Sequence, residues 1–143
     1  MPSTELMLTS EVSEADYRHV CRSLLAYNVT STHGRLEQPD VTINLIVKDT
    51  EGAVLGGIFC DTFLHTIYID VLWVDERIRG QGYGKALIEE AERIARSHGC
   101  TLAHTCTFSY QAPGFYTGQG YTVFAVLEDY PDGIKQYFLK KTL

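Results

Sequence analysis

The chain has 143 residues, the length of one domain, and its 45% hydrophobic and 21% charged residues can build a packed core, which excludes a disordered chain. Twelve Lys and Arg against eighteen Asp and Glu leave a net charge of −6, which argues against a general binder of nucleic-acid phosphates but permits a local anion site. The four cysteines, Cys21, Cys60, Cys100 and Cys106, form no C-x-x-C pair and read as free thiols of a reducing compartment. Residues 1–10 lack the basic and apolar regions of a signal peptide, and no apolar run reaches the roughly 18 residues of a membrane span, so a cytoplasmic location is expected.

In chain order, Thr4 to Thr9 is expected as a first strand. Ser13 and Asp16 then have the spacing of a capping box, opening a helix from Glu14 to Tyr27 with Tyr17, Val20, Cys21, Leu24 and Leu25 on one face. Asn28 to Asp40 reads as a helical turn plus loop. Val41–Val47 and Ala53–Cys60 form a hairpin across a turn containing Asp49 and Gly52. Thr66 to Val74 is almost wholly apolar or β-branched, as in a central strand covered on both faces, with Asp70 its one interior charge.

Leu87, Ile88, Ala91, Ile94 and Ala95 recur at helical spacing between Tyr83 and His98, and Glu89, Glu90, Glu92, Arg93 and Arg96 are assigned to the opposite, polar face. Gly99 ends that helix, and Cys100 to Phe108 reads as the next strand. A short helix from Ala112 to Thr117 and strands Tyr121–Leu127 and Ile134–Lys140 complete the chain. The expectation is a single α+β domain over 1–143, with a mixed, largely antiparallel sheet flanked by helices and one parallel β-α-β crossover.

The segment between the central strand and the long helix carries the chemistry. Arg79-Gly80-Gln81-Gly82-Tyr83-Gly84-Lys85 places three alternating glycines at a helix N-terminus, where free N–H groups and the helix dipole attract an anion. Arg77, Arg79 and Lys85 flank it, and no acid falls between Arg77 and Lys85. Gly84-Lys85-Ala86 lacks the Ser or Thr of a Walker loop, and the glycine spacing is not G-x-G-x-x-G, so nucleotide hydrolysis and dinucleotide binding lose support. A phosphate or pyrophosphate is the expected ligand.

Arg79-Gly80-Gln81-Gly82-Tyr83-Gly84 resembles the R/Q-x-x-G-x-G/A signature of the GNAT family of N-acetyltransferases. Ala112 to Tyr121 resembles that family's closing segment, in which an alanine opens a short helix, a tyrosine follows four residues later, and Gly-Tyr begins the next strand. Small bacterial members of the family look closest. The resemblance implies a GNAT-like fold and an acetyl-CoA-dependent transfer to a primary amine by direct attack in a ternary complex. The pyrophosphate of acetyl-CoA would lie on main-chain N–H groups from Arg79 to Lys85, and Leu72, Trp73 and Val74 would hold the pantetheine arm.

By the same resemblance, Tyr116 would protonate the departing thiolate and Asp70 would accept the amine proton. A carboxylate isolated in an apolar strand is expected to have a raised pKa. Tyr110 is the alternative acid, and His65 and His104 are weaker candidates for the base. Ser109 stands where the family often carries asparagine and would bond the pantetheine or thiol region. Cys106 has no adjacent histidine to activate it and reads as a packed thiol. No metal-ligand spacing is present, and neither nucleic acid nor membrane is an expected partner. A homodimer is possible by family habit.

Two other readings stay open: a non-catalytic acyl-CoA-binding module, and an acetyltransferase of protein N-termini. Asn28–Asp40 and Asp61–His65 are the candidate acceptor-side segments, and they carry no readable code. Five basic and three acidic residues lie between Arg77 and Arg96, so the acid excess lies elsewhere and would favour a small cationic amine as acceptor.

Overall fold

The computed structural model describes residues 5–37 and 40–143, which fall into two compact units, one within 1–39 and one over 40–143. In the first unit, helix α1 spans Glu14–Ser31. The capping box forms as the spacing predicts: Asp16 N–H donates to Ser13 Oγ at 3.1 Å, and Ser13 N–H donates to Asp16 Oδ2 at 3.0 Å. The Ser13 backbone N–H holds the Asp16 carboxyl below its ordinary pKa. The helix runs one turn beyond the expected Tyr27, and Thr32 closes it by donating its hydroxyl to Asn28 O at 2.7 Å. Asn28–Asp40 contains the expected turn as a 3-10 segment at Arg35–Glu37, while residues 38–39 lie outside the described chain.

The proposed first strand is corrected: Glu5 to Thr9 is not strand, and Thr4 lies outside the described residues. Alternation alone forms no strand without a ladder partner. Among the described residues, no helix is long and apolar enough to cross a membrane.

The second unit is one six-stranded sheet with helices. Its strands are β1 (Thr42–Lys48), β2 (Val54–Phe63), β3 (Thr66–Val74), β4 (Leu102–Phe108), β5 (Thr122–Leu127) and β6 (Gln136–Thr142), in spatial order β1-β2-β3-β4-β6-β5. Only β3 and β4 run parallel, joined by helix α2 (Tyr83–Ser97). A short helix α3 (Pro113–Gly118) joins β4 to β5. The α+β architecture read from the sequence is the one observed.

Helix α2 packs on β1, β2 and β3, and Ile58, Ile67, Ile88, Ala95, Ala103 and Leu139 are fully buried in the resulting core. One expectation fails here. Glu92, assigned to the polar face of α2, is 2% exposed. It stands in one stripe with Ile88, four residues before it, and Ala95, three residues after it, the spacings that share a helix face.

The buried Glu92 carboxylate is matched by Lys141 of β6, whose Nζ donates to Oε1 at 2.7 Å and Oε2 at 2.8 Å. The same ammonium lies 5.6 Å from the Tyr121 ring centroid, so it ties α2 to β6 and to the residue that precedes β5. Removing one partner leaves the other buried without its charge. Lys141→Met is expected to lower unfolding free energy by about 3–5 kcal/mol in urea denaturation, and pairing it with Glu92→Leu is expected to recover most of the loss.

Candidate active site

The site begins where β3 and β4 part. They pair in parallel only from Thr66 opposite Leu102 to Ile69 opposite Thr105, after which β3 continues five residues and β4 three. Asp70 is the extra residue of a β-bulge: Cys60 faces Ile69, Phe59 faces Val71, and nothing on β2 faces Asp70. The bulge keeps β3 on β2, while β4 stays paired with β6 to its end, so the two central strands separate. Main-chain groups of Asp70–Val74 on the β4 side therefore lack a strand partner.

Past Val74 the chain turns through Asp75, whose carboxylate accepts from Arg77 N–H at 2.8 Å and from the Arg77 guanidinium at 2.9 Å through each oxygen. That pairing holds the Asp75 carboxyl down at about 2. Arg77 is thus bound to its neighbour and does not line the cavity. Arg79 does line it, with Nε donating to Val74 O at 3.0 Å. Gly80 and Gly82 follow at φ +74 and +86, backbone that L side chains rarely adopt, and a Cβ on either would meet nothing within 4 Å.

Gly82 is the N-cap of α2 and offers no side-chain cap. The first intrahelical bond is Ala86 N–H to Gly82 O at 3.0 Å, so the N–H groups of Tyr83, Gly84 and Lys85 have no acceptor within the helix. Together with the helix dipole they form a main-chain anion cradle. Gly84 has a different use, because a Cβ there would stand 3.2 Å from Phe115, whose ring packs against this turn. Lys85 is 3.7 Å from Glu89 on the helix surface. Gln81 turns back, donating to Arg77 O at 3.4 Å, and is not part of the cavity wall.

The opening between the strands and this turn form one cavity of about 810 Å³. Leu72, Trp73 and Val74 line one wall, and Thr105, Cys106 and Thr107 line the other. Gln111 stiffens the second wall, its Oε1 accepting from Thr107 Oγ1 at 3.1 Å and Phe108 N–H at 2.9 Å. Tyr116 and Asp70 both reach this cavity.

Tyr116 is 8% exposed, edge-on to Phe115 and Tyr121 with centroids at 5.4 and 5.9 Å. Burial pushes its phenol pKa up, and the Thr105 hydroxyl draws it partly back. Asp70 is exposed on its bulge, not enclosed in an apolar strand as the sequence pattern suggested. Cys106 Sγ lies 3.3 Å from Tyr68 Oη, and that hydrogen bond together with burial pushes the Tyr68 phenol up to about 12.

The remaining predicted groups lie as follows. Ser109 N–H donates to Lys135 O at 2.8 Å and its Oγ accepts from Lys135 N–H at 3.1 Å, which fastens β4 to the segment before β6 and leaves Ser109 out of the cavity lining. Tyr110 lines the cavity and stacks on Phe108 with centroids 5.4 Å apart. His65 sits in the two-residue turn before β3, with Nδ1 3.3 Å from Gly99 O, at the opposite end of β3 from the glycine turn. His104 packs 5.0 Å from the Tyr68 ring, where burial lowers its pKa, and does not line the cavity. Cys60 and Cys100 are buried free thiols, and Cys60 is pushed up to about 12 by burial. Among the described residues no three His, Cys, Asp or Glu side chains converge as a metal site requires.

Sequence reasoning missed Phe115, Thr105, Thr107 and Gln111. The alternation Ala103, Thr105, Thr107, small or β-branched residues at every second position of β4, was the available signal for its buried face.

Residues 9–121 match the family model described as the Acetyltransferase (GNAT) family. The chain is 41% identical over 93 residues to a blasticidin-S acetyltransferase of Streptomyces morookaense, covering 64% of this chain and 68% of that one. It is 30% identical over 133 residues to the acetyltransferase Atu2258 of Agrobacterium fabrum, covering 92% and 95%. A crystal structure of an acetyltransferase from Bacillus cereus superposes with a TM-score of 0.87 at 35% identity, over 96% of this chain and 98% of that one.

The cradle depends on a left-handed backbone at its cap. Gly82→Ala is expected to lower stability by about 1–2 kcal/mol, read as a reduced urea midpoint, whereas Gly114→Ala, at a position with ordinary backbone and open space, is expected to cost nothing or to stabilise.

Proposed function

The chain belongs to the GNAT acetyltransferase family, and we propose that it moves the acetyl group of acetyl-CoA to the primary amine of a small cationic acceptor, by direct attack in a ternary complex. The observation that carries this reading is one continuous cavity with an uncapped helix N-terminus at one end and Asp70 and Tyr116 at the other. A 113-residue family match running through both units supports a single domain over 1–143.

The α2 cradle binds the pyrophosphate through the N–H groups of Tyr83, Gly84 and Lys85, with Arg79 beside it. The unpaired edge of Leu72–Val74 aligns the pantetheine amides as a strand would. This places the thioester at the parting of β3 and β4, where a main-chain N–H of the β3 edge polarises its carbonyl. The amine nitrogen bonds to the acetyl carbon as the carbon–sulfur bond breaks. Asp70 takes the proton from nitrogen, and Tyr116 gives its proton to sulfur.

A phenol suits the second task, because burial keeps Tyr116 protonated through neutral pH. Asp70, on an exposed bulge, faces an acceptor arriving from solvent. The likeness to a blasticidin-S acetyltransferase supports amine-bearing antibiotics as the first acceptors to try.

Purified protein with acetyl-CoA is expected to release free thiol with at least one amine of a panel containing blasticidin S, streptothricin-type antibiotics, polyamines and peptide N-termini. Tight acetyl-CoA binding without amine-dependent release would instead mean a binding module. Tyr116→Phe is expected to lower kcat by about 10²-fold with the acetyl-CoA KM changed less than about twofold. Because the folded-state pKa of Tyr116 lies above its ordinary value of about 10, its loss of function by deprotonation is confined to pH above 10. The wild-type kcat profile should therefore show no Tyr116 limb between pH 7 and 10. Asp70→Asn is expected to lower the rate chiefly at acidic to neutral pH, and an unchanged profile would assign proton removal to water.

A further inference from the structure

The open edge of β4 ends on Gln111. Ser109 N–H bonds Lys135 O on the β6 side, so Phe108, one residue back, turns its N–H and C=O to the opposite edge, the one that β3 has left. Both groups close on the same residue: Phe108 N–H donates to Gln111 Oε1 at 2.9 Å, and Gln111 N–H donates to Phe108 O at 2.9 Å. Thr107, 3% exposed, adds its hydroxyl as a second donor to Oε1 at 3.1 Å.

These bonds fix which way the side-chain amide faces. A peptide N–H is always a donor, so the atom that accepts from Phe108 is the oxygen, and the nitrogen takes the other position of the amide plane. The oxygen end is thus turned to β4 and the Nε2 end away from it, and among the described residues neither Nε2 proton has an acceptor. Gln111 lines the cavity, as do its neighbours Tyr110 and Ala112. Two bonds hold the amide before any ligand arrives, which lowers the ordering cost of using it, and accepting them strengthens its N–H groups as donors.

We propose that Gln111 is a substrate-binding residue, whose Nε2 donates to an amide carbonyl of the pantetheine arm of acetyl-CoA from the β4 side of the cavity. The inference rests on acetyl-CoA being the occupant of that cavity. Across the opening, Leu72–Val74 supplies unpaired main-chain groups of β3, which suit one edge of an extended chain of amides. The other edge needs partners as well, and the outward groups of Phe108 are already taken. The Gln111 amide replaces the donor it covers: it accepts from Phe108 on one side and presents new N–H groups on the other, as an inserted peptide unit would. The sequence pattern placed this task on Ser109, whose N–H and hydroxyl are both bound to Lys135.

Two substitutions separate the donor from the brace. Gln111→Glu keeps an oxygen for Phe108 N–H and Thr107 but removes both N–H donors, and Gln111→Met removes donor and acceptor without adding charge. Calorimetric titration with CoA and with adenosine 3′-phosphate 5′-diphosphate, which is CoA without its pantetheine arm, separates the arm from the phosphates. Wild type is expected to bind CoA more tightly than the truncated ligand. In both variants the loss of CoA affinity is expected to exceed the loss for the truncated ligand by about tenfold. In thiol release the loss is expected in the acetyl-CoA KM, with kcat within about threefold of wild type.

CoA affinity that falls in Gln111→Met but not in Gln111→Glu assigns Gln111 only the bracing of the strand end and overturns the inference. So does a loss in Gln111→Glu that falls equally on both ligands, or a wild type that binds both ligands alike. A wild type that binds neither ligand overturns the acetyl-CoA reading and this inference with it. CoA binding with the expected ratio but no thiol release to any amine overturns acetyl transfer and supports the Gln111 contact. Thermal melts establish that each variant is folded before it is scored, and Gln111→Glu carries the test alone where Gln111→Met does not fold.

Discussion

The parallel ladder between β3 and β4 is four residue pairs long, and the rest of the site depends on where it stops. Each of these strands has an outer partner that it keeps: β3 stays with β2 through Val74, and β4 stays with β6 through Phe108. The bulge at Asp70 adds one residue to β3 and lets it follow the twist of β2 instead of the line of β4. Parting a ladder would ordinarily leave backbone N–H and C=O groups unsatisfied, and a protein keeps such an opening where a ligand completes it. The cavity wall at Leu72–Val74 is that kind of surface. An extended ligand carrying amides can add to it as a strand would, without any side chain of special chemistry.

The same economy of side chains holds at the other end of the cavity. The sequence places Arg77, Arg79 and Lys85 around the glycine turn and invites a reading in which their charge holds the anion. In the folded chain Arg77 is committed to Asp75, Arg93 to Glu90 at 2.6 Å, and Lys85 lies near Glu89, so most of the local positive excess is matched by neighbouring acids. Exposed pairs of this kind contribute little to stability, but they remove cations from the count available to a ligand. What remains is Arg79, held on Val74 O, and the free N–H groups of the first turn of α2. The cradle is therefore mainly backbone, with its charge supplied by orientation of peptide dipoles, and it requires Gly82 in a left-handed conformation more than it requires any one lysine or arginine.

The parts legible in the sequence were those set by local chemistry. A helix with a 3.6-residue period, a glycine turn at its start, a capping box at Ser13 and hairpin turns all follow from residues within a few positions of one another, and each appears where the pattern put it, as does the family resemblance carried by the glycine turn. The misreadings involve partners distant in the chain. Glu92 was placed outward because glutamate usually is, and only Lys141, 49 residues on, makes its inward position tolerable. Asp70 was read as an enclosed charge because nothing local announces a bulge. Ser109 was read toward the ligand, while its hydroxyl is taken by Lys135, 26 residues away. Thr105 went unremarked because a buried threonine in a strand looks like packing until the strand beside it is known to leave.

These non-local choices set two different environments at the ends of one short path. Tyr116, on the buried face of α3, packs against Tyr121 and Phe115, and burial keeps its phenol protonated. Asp70 stands on the bulge, exposed. The proposed transfer takes a proton from nitrogen and gives one to sulfur, and the two ends of the path differ in their exposure to solvent. The bulge that parts the strands is also the element that lifts Asp70 into solvent, while the residue just before it, Ile69, is still paired with Thr105. One irregularity in the β2–β3 register thus opens the cavity and separates the surroundings of its two ionisable groups.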